Sequence, residues 1–161
     1  MNKRTIITLS CLLLIFAGCK TKETASPVPE ANYSIVVIRS SNELVLSLGD
    51  KEIKTYTVAT GKNMKTPIAT FKIVRKMENP PWTDLSGKHF KSGEEGNILG
   101  TRYMMLKSSE KPQYMGFGIH GTNNPDAIGT FSTQGCISML NEDVEELFSM
   151  VPKGTEVTIK D

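Results

Sequence analysis

The sequence contains little cysteine, little histidine and no long hydrophobic run beyond its first twenty residues. Three cysteines and two histidines in 161 residues leave no cluster with the spacing of a structural or catalytic metal site. We therefore expect no metal and no cofactor. The composition, 39% hydrophobic, 22% charged and 7% aromatic, is that of a globular protein, and it excludes a disordered chain, a multi-pass membrane protein and a coiled coil.

The chain has a formal net charge of only +2. Its 19 Lys and Arg residues include Lys3 and Arg4 near the N-terminus, so 17 remain to balance 17 Asp and Glu residues. A protein that binds nucleic acid needs a basic surplus, so we predict no nucleic-acid partner. The length corresponds to one domain.

The N-terminal segment has the order of a bacterial export signal. A positive region with Lys3 and Arg4 precedes an apolar run over residues 6–16, and two small residues then precede Cys19. The run is short for a membrane-spanning helix. Its end resembles the lipobox of bacterial lipoproteins, in which the cysteine is acylated; the alternative is an ordinary secretory signal. We predict a lipoprotein-type signal peptide over residues 1–18 and lipidation at Cys19.

Both interpretations place the protein outside the cytoplasm, in the cell envelope at the periplasm or cell surface. Residues 19–32 are polar and contain two prolines, so we expect a tether between the membrane and the rest of the chain. Several acyl chains would hold the protein durably, because one chain alone binds a membrane only marginally. Residues 33–161 are numerous enough to bury a core, and we expect a monomer.

The pattern of this body is rich in strands. Residues 78–100 predict a long irregular loop, and a loop of this length is usually functional or mobile. A helix is predicted from Asn141, acting as its cap, to Pro152, with Val144 and Leu147 facing the core. Short apolar or alternating runs between turn residues predict strands, the first three forming an antiparallel meander, at residues 35–38, 44–48, 53–59, 71–74, 103–106, 117–119 and 156–159.

Cys136 is the one cysteine of the body, and an unpaired thiol in an oxidising compartment needs a reason to persist. Such a thiol is either buried and inert or chemically active. His120 lies sixteen residues earlier and Gly135 directly precedes the cysteine. An imidazole activates a thiol by taking its proton, and backbone N–H groups near the cysteine stabilise an oxyanion. The pair alone is a weak indication, since many domains contain one of each residue.

The residues around the pair make the indication specific. Residues 116–139, GFGIHGTNNPDAIGTFSTQGCISM, resemble the signature of the L,D-transpeptidase catalytic domain, also called the YkuD-type domain. Asn141 and Asp143 match the start of the helix that follows in this family. The resemblance spans the body from residue 33 to residue 161, with weaker matching segments at Thr60-Gly61-Lys62, Thr66-Pro67, Asn79–Trp82 and Asn97–Arg102.

This resemblance implies a mainly β, β-sandwich-like catalytic fold with one or two short helices. It implies an enzyme that acts on peptidoglycan stem peptides, as donor and as acceptor, and joins them by 3→3 cross-links without a cofactor. Cys136 would be the nucleophile and His120 the general base and acid. The backbone carbonyl of Gly121 would orient the histidine, and the backbone of Gly135 and Cys136 would supply the oxyanion donors.

The resemblance also implies a set of residues that contact the substrate. For two of them, Trp82 and Arg102, a packing or structural role is the alternative. Three positions depart from the family pattern. Ser138 stands where the family has Arg, Gln134 stands where a basic residue is frequent, and Ala69 replaces Gly. Losing a planar five-donor cation leaves two alternatives open: hydrolysis by the same cysteine as an L,D-carboxypeptidase, and a non-catalytic peptidoglycan-binding lipoprotein. The predicted substrate contacts are Thr133, Gln134, Ser138, Trp82 and Arg102.

Overall fold

The computed structural model describes residues 31–114 and 116–161. The predicted signal peptide, the predicted lipidation site Cys19 and most of the predicted tether lie outside these residues. Within them, no helix has both the length and the apolar character needed to cross a membrane.

Strands dominate the described residues, as the mainly β prediction requires. The α-helix, α1, spans Asn141–Met150, and single 3-10 turns cover Lys62–Met64 and Pro125–Ala127. In chain order the strands are β1 (Tyr33–Ile38), β2 (Glu43–Leu48), β3 (Lys51–Thr57), β4 (Thr60–Gly61), β5 (Ala69–Glu78), β6 (Trp82–Thr83), β7 (His89–Phe90), β8 (Arg102–Lys107), β9 (Gly118–His120), β10 (Phe131–Thr133), β11 (Ile137–Ser138) and β12 (Glu156–Lys160).

Eight of these strands form one curled mixed sheet in the order β11-β9-β8-β5-β12-β1-β2-β3. The predicted meander is confirmed, since β1, β2 and β3 pair in antiparallel fashion. The pairs β1–β12 and β9–β11 are parallel. Because the sheet curls, Ala59 beyond β3 exchanges two backbone hydrogen bonds, of 2.8 and 2.9 Å, with Ser138 at the opposite edge.

The core fills the space between the curled sheet and α1. Alternate residues of the strands point into it, as the two-residue period of a strand requires. Helix residues Val144 and Leu147 are completely buried there, which confirms the inward face predicted from the sequence. They join a cluster that includes Phe71, Met104, Ile119, Met139 and Val157.

Three local predictions need correction. The segment 78–100 is not wholly irregular, because β6 and β7 pair within it and Trp82 stacks on Phe90 with ring centroids 5.6 Å apart. Strand β5 extends well beyond residues 71–74, because its polar half pairs with β8. Asn141 is not the helix cap: Leu140 holds that position, and the Asn141 amide bonds to two loops instead.

Candidate active site

The parallel pairing of β9 and β11 brings the predicted histidine and cysteine together. Ile137 is paired with Ile119, and Ser138 with His120, so in the same register Cys136 lies beside Gly118. Side chains two residues apart on a strand share a face. The thiol and the imidazole therefore project from one face of neighbouring strands, as diagonal neighbours across the pair.

The imidazole of His120 is held in one tautomer. Its Nδ1 atom lies 2.6 Å from the carbonyl oxygen of Gly121, and because a carbonyl oxygen only accepts, Nδ1 carries the proton. This is the contact that the family resemblance implied for Gly121. The Nε2 atom is left with its lone pair, and it faces the Ser138 hydroxyl at 3.4 Å.

Burial keeps both reacting groups neutral. The His120 side chain is buried, and burial lowers its pKa to about 4, although the bond to Gly121 opposes this change. Burial also raises the pKa of the Cys136 thiol, against a hydrogen bond from the Gly118 backbone that lowers it. At neutral pH the site therefore holds a thiol and a neutral imidazole, and the imidazole is free to act as a base.

Hydrogen bonds fix the loop that carries the cysteine. Thr133 Oγ1 donates to the carbonyl of Cys136 at 2.6 Å and accepts the Gly135 N–H at 3.1 Å. The hydroxyl of Thr66, which is fully buried, donates to the Gly135 carbonyl at 2.7 Å and accepts the Gly61 N–H at 2.7 Å. Gly135 has a φ of 139°, a conformation that favours glycine.

The bond between Gly135 N–H and Thr133 bears on the predicted oxyanion donors. Because that N–H is already engaged in this structure, the Cys136 N–H is the better candidate of the two. Thr133 itself lies on β10, which pairs with β4. Its hydroxyl spans the cysteine turn, so its contacts hold the loop.

Asn141 ties the histidine loop to the helix. Its Oδ1 accepts the N–H groups of Thr101 and Thr122 at 3.2 Å each, and its Nδ2 donates to the Thr122 carbonyl at 3.0 Å. Thr122 follows Gly121 directly, so these bonds support the carbonyl that orients His120. The sequence indicated Asn141 as a match to the family pattern but not this role.

Tyr103 closes the other side of the thiol. Its hydroxyl donates to the Gly116 carbonyl at 3.0 Å, and the Cys136 sulfur lies 3.9 Å from the same oxygen. The Tyr103 ring centroid is 6.4 Å from that of His120. Neither Tyr103 nor Thr66 was among the predicted site residues; Thr66 lay in a segment that matched the family, whereas Tyr103 carried no sequence signal.

The remaining predicted contacts lie at different distances from the pair. Ser138 faces His120, and Gln134 accepts a bond from Lys65 at 3.2 Å, so both stay at the cysteine loop. Trp82 is half-buried in the β6–β7 hairpin. The Arg102 guanidinium donates to the Thr101 carbonyl at 2.8 Å. It also lies over the ring of Phe148 and 3.7 Å from Glu145, both on α1.

Within the part of the chain that the structure describes, no three His, Cys, Asp or Glu side chains are grouped closely enough to hold a metal ion. The chemistry that this arrangement supports is nucleophilic attack by sulfur with proton transfer to an imidazole.

Comparison with known proteins assigns the class of protein. The model of the YkuD family, described as the L,D-transpeptidase catalytic domain, matches residues 32–159. The chain therefore belongs to the L,D-transpeptidase catalytic-domain family.

Two proteins of Bacillus subtilis (strain 168), whose names assign them to the L,D-transpeptidases, are similar in sequence. YqjB is 36% identical over 137 residues, which cover 84% of this chain and 75% of YqjB. YkuD is 38% identical over 128 residues, which cover 79% of this chain and 65% of YkuD. This chain thus spans about two thirds to three quarters of these relatives.

Solved structures confirm the fold. An L,D-transpeptidase from Mycobacterium smegmatis superposes with a TM-score of 0.62 at 15% identity, over 81% of this chain and 59% of that one. The catalytic domain of the Enterococcus faecium L,D-transpeptidase superposes with a TM-score of 0.62 at 22% identity, over 81% of this chain and 98% of that domain.

The buried neutral His120 makes stability depend on pH. Its pKa is about 4 in the folded protein and about 6.5 in an unfolded chain. Between these values the unfolded chain binds a proton that the folded protein excludes, so the contribution of His120 to stability falls as the pH drops from 6.5 to 4 and is constant above that window. At pH 5 we expect a loss of about 2 kcal/mol relative to pH 7.5.

Urea unfolding at pH 7.5 and pH 5 measures this loss. His120→Gln keeps a neutral polar side chain but cannot titrate, so its stability should fall by about 2 kcal/mol less between the same two pH values. An equal fall in both proteins would contradict a buried neutral imidazole.

Proposed function

We propose that the protein is a cysteine-dependent L,D-transpeptidase that acts on peptidoglycan stem peptides. Family membership indicates the enzyme class. The observation that carries the proposal is the Nδ1 bond of His120 to the Gly121 carbonyl at 2.6 Å. That bond leaves an unprotonated Nε2 on the same face of the sheet as the Cys136 thiol.

In the first half of the reaction the thiol attacks the carbonyl carbon of the third residue of a tetrapeptide stem. The thiol proton passes to His120 Nε2 as the S–C bond forms. The C–N bond to the terminal D-alanine then breaks, and the leaving amine takes the proton from Nε2. The product is a thioester on Cys136. The Cys136 N–H stabilises the oxyanion, a contribution of about 3–4 kcal/mol for one donor.

In the second half an amine of a neighbouring stem attacks the thioester. His120 takes a proton from this amine and returns it to the departing sulfur. A new amide joins the two stems as a 3→3 cross-link, and the free thiol is restored. The neutral resting pair suits both halves, because the same Nε2 acts first as base and then as acid.

Ser138 changes how the base is held. Its hydroxyl donates to Nε2 at 3.4 Å, a long bond that the thiol proton must displace. The family arginine would place a cation at this position, whereas serine adds no charge beside His120. The contribution of the arginine, either to the cysteine loop or to a carboxylate of the substrate, is therefore absent.

We extend the proposal to the location of the protein. Acylation at Cys19 after removal of residues 1–18 would hold the domain at the membrane of the cell envelope, next to its substrate. The support is the sequence of the N-terminal segment.

Cell fractionation tests the anchor. We expect the protein in the membrane fraction after a high-salt wash, and the variant Cys19→Ser in the soluble fraction, because the acyl chains supply the binding energy. A mature N-terminus at a residue other than Cys19, found by mass spectrometry, would refute lipidation.

The nucleophile is tested with imipenem, since one structural neighbour, an L,D-transpeptidase, was solved in complex with this compound. Intact-mass spectrometry of the purified protein should show one adduct per chain. The variant Cys136→Ser should form none, and His120→Gln should react at least about 100-fold more slowly, because general base catalysis is lost. No adduct on a folded protein would sink the catalytic proposal and favour the non-catalytic binding alternative.

The acceptor is tested with a stem tetrapeptide, supplied alone and with a second stem that carries a free amine. We expect the mass of an amide-linked dimer and of released D-alanine, both absent with Cys136→Ser. Release of D-alanine with the tripeptide as the only other product would instead assign the L,D-carboxypeptidase reaction.

A further inference from the structure

A row of paired residues leads across the sheet away from the cysteine. Cys136 lies beside Gly118 in the register of β11 with β9. Gly118 is paired with Met105 on β8, and Met105 with Arg75 on β5. Neighbouring strands are about 4.8 Å apart, so three steps place the backbone of Arg75 about 14 Å from that of Cys136.

Arg75 projects from the same face as the thiol. The opposite face of these strands is the core side, where Met104, Leu106 and Ile119 are buried and where Lys76 bonds to carbonyls at the end of α1. Arg75 precedes Lys76 by one position, so its side chain points to the opposite face of the strand, and it is exposed. Its guanidinium is therefore on the solvent side, with Cys136.

Two residues lie between Cys136 and Arg75 on this face: Gly118, and Met105, whose side chain is half-buried. Gly118 has no side chain, and a Cβ there would lie 2.8 Å from a ring carbon of Tyr103. The Tyr103 ring thus packs directly against the backbone of Gly118. Burial raises the pKa of Tyr103 to about 12; the nearby Cys136 adds to this rise, and the positive charge of Arg75 opposes it. The Tyr103 hydroxyl therefore lies within the field of both residues.

Arg75 has a free positive charge. Among the described residues the basic partners in ion pairs are Arg39, Lys54 and Arg102, and Arg75 is in none. Lys72 and Lys107 pair in a further row of the same two strands and are exposed. The outer face of β5 and β8 thus carries three cations, with Glu156 of β12 paired beside Lys72.

We propose that Arg75 binds a carboxylate of the acyl-donor peptide and so selects an anionic donor. This inference rests on the proposed function, because it takes a stem peptide as the donor. A guanidinium binds a carboxylate through two parallel hydrogen bonds. An extended peptide advances about 3.3–3.6 Å per residue, so the 14 Å between the two backbones corresponds to about four residues. The long arginine side chain spans part of this distance, which brings into reach a carboxylate on a residue within about two positions of the attacked carbonyl.

In a stem with L-lysine at the third position, two carboxylates meet this requirement: that of the terminal D-alanine and the free one of the second residue, a γ-linked D-glutamate. Both offer the same chemistry to Arg75. Two amidated peptides separate them, one with a C-terminal amide and one with isoglutamine at the second position.

The test is the affinity of Cys136→Ser protein, which cannot turn over, for the peptide L-Ala–γ-D-Glu–L-Lys–D-Ala in isothermal titration calorimetry. Adding Arg75→Gln should raise Kd by about fivefold to tenfold, and Arg75→Lys by less. The matched control is Lys51→Gln, an exposed cation on β3 at the far edge of the sheet, which should leave Kd unchanged. The amidated peptide that no longer responds to Arg75→Gln identifies the carboxylate.

A Kd for the Arg75→Gln protein within twofold of that of the parent would overturn the inference, as would a parent that does not bind the peptide. The readout needs no chemistry, so it is separate from the imipenem test. An adduct with imipenem together with Arg75-independent binding would refute the inference alone. Arg75-dependent binding without an adduct would refute the catalytic proposal alone. Thermal unfolding midpoints of the variants check that this exposed position leaves the fold intact.

Discussion

The parallel pairing of β9 with β11 is the constraint on which the site depends. Parallel neighbours cannot be joined by a tight turn and need a long crossover. Here residues 121–136 make that crossover, and they contain the Gly121 carbonyl, the 3-10 turn over Pro125–Ala127 and strand β10. The connection that the topology requires therefore also supplies the groups that orient the histidine and hold the cysteine loop.

The crossover is fastened to the rest of the molecule by side chains from distant elements. Thr66 reaches the Gly135 carbonyl from the segment before β5, and Asn141 reaches Thr122 from α1. Each of these bonds satisfies backbone groups that would otherwise be left without a partner in a loop. The consequence is a site whose geometry is set before a substrate arrives, which is what positioned nucleophiles and bases require.

The reacting groups of the site are neutral, whereas charged side chains lie on the solvent-exposed face beyond it. Burial keeps both Cys136 and His120 uncharged. The folded protein therefore avoids the free-energy cost of burying an ion pair in a low-dielectric environment. The positively charged side chains of Arg75, Lys72 and Lys107 lie on the solvent side of β5 and β8. Such a division suits a peptide donor whose scissile bond is neutral but whose neighbouring groups are anionic.

The sequence by itself determined the features that are local in the chain. Neighbouring residues in the chain show the alternation along β1 to β3, the helical spacing of Val144 and Leu147, and the segment around His120 and Cys136. These features were sufficient to predict the fold class and the family. Tertiary structure alone decided the extent of β5, the β6–β7 hairpin and the true partners of Asn141. Those features depend on backbone groups that come close only when distant strands pair. The polarity and spacing of residues along the chain therefore could not predict them. The row from Cys136 to Arg75 has the same origin, because register between strands is set by packing across the sheet.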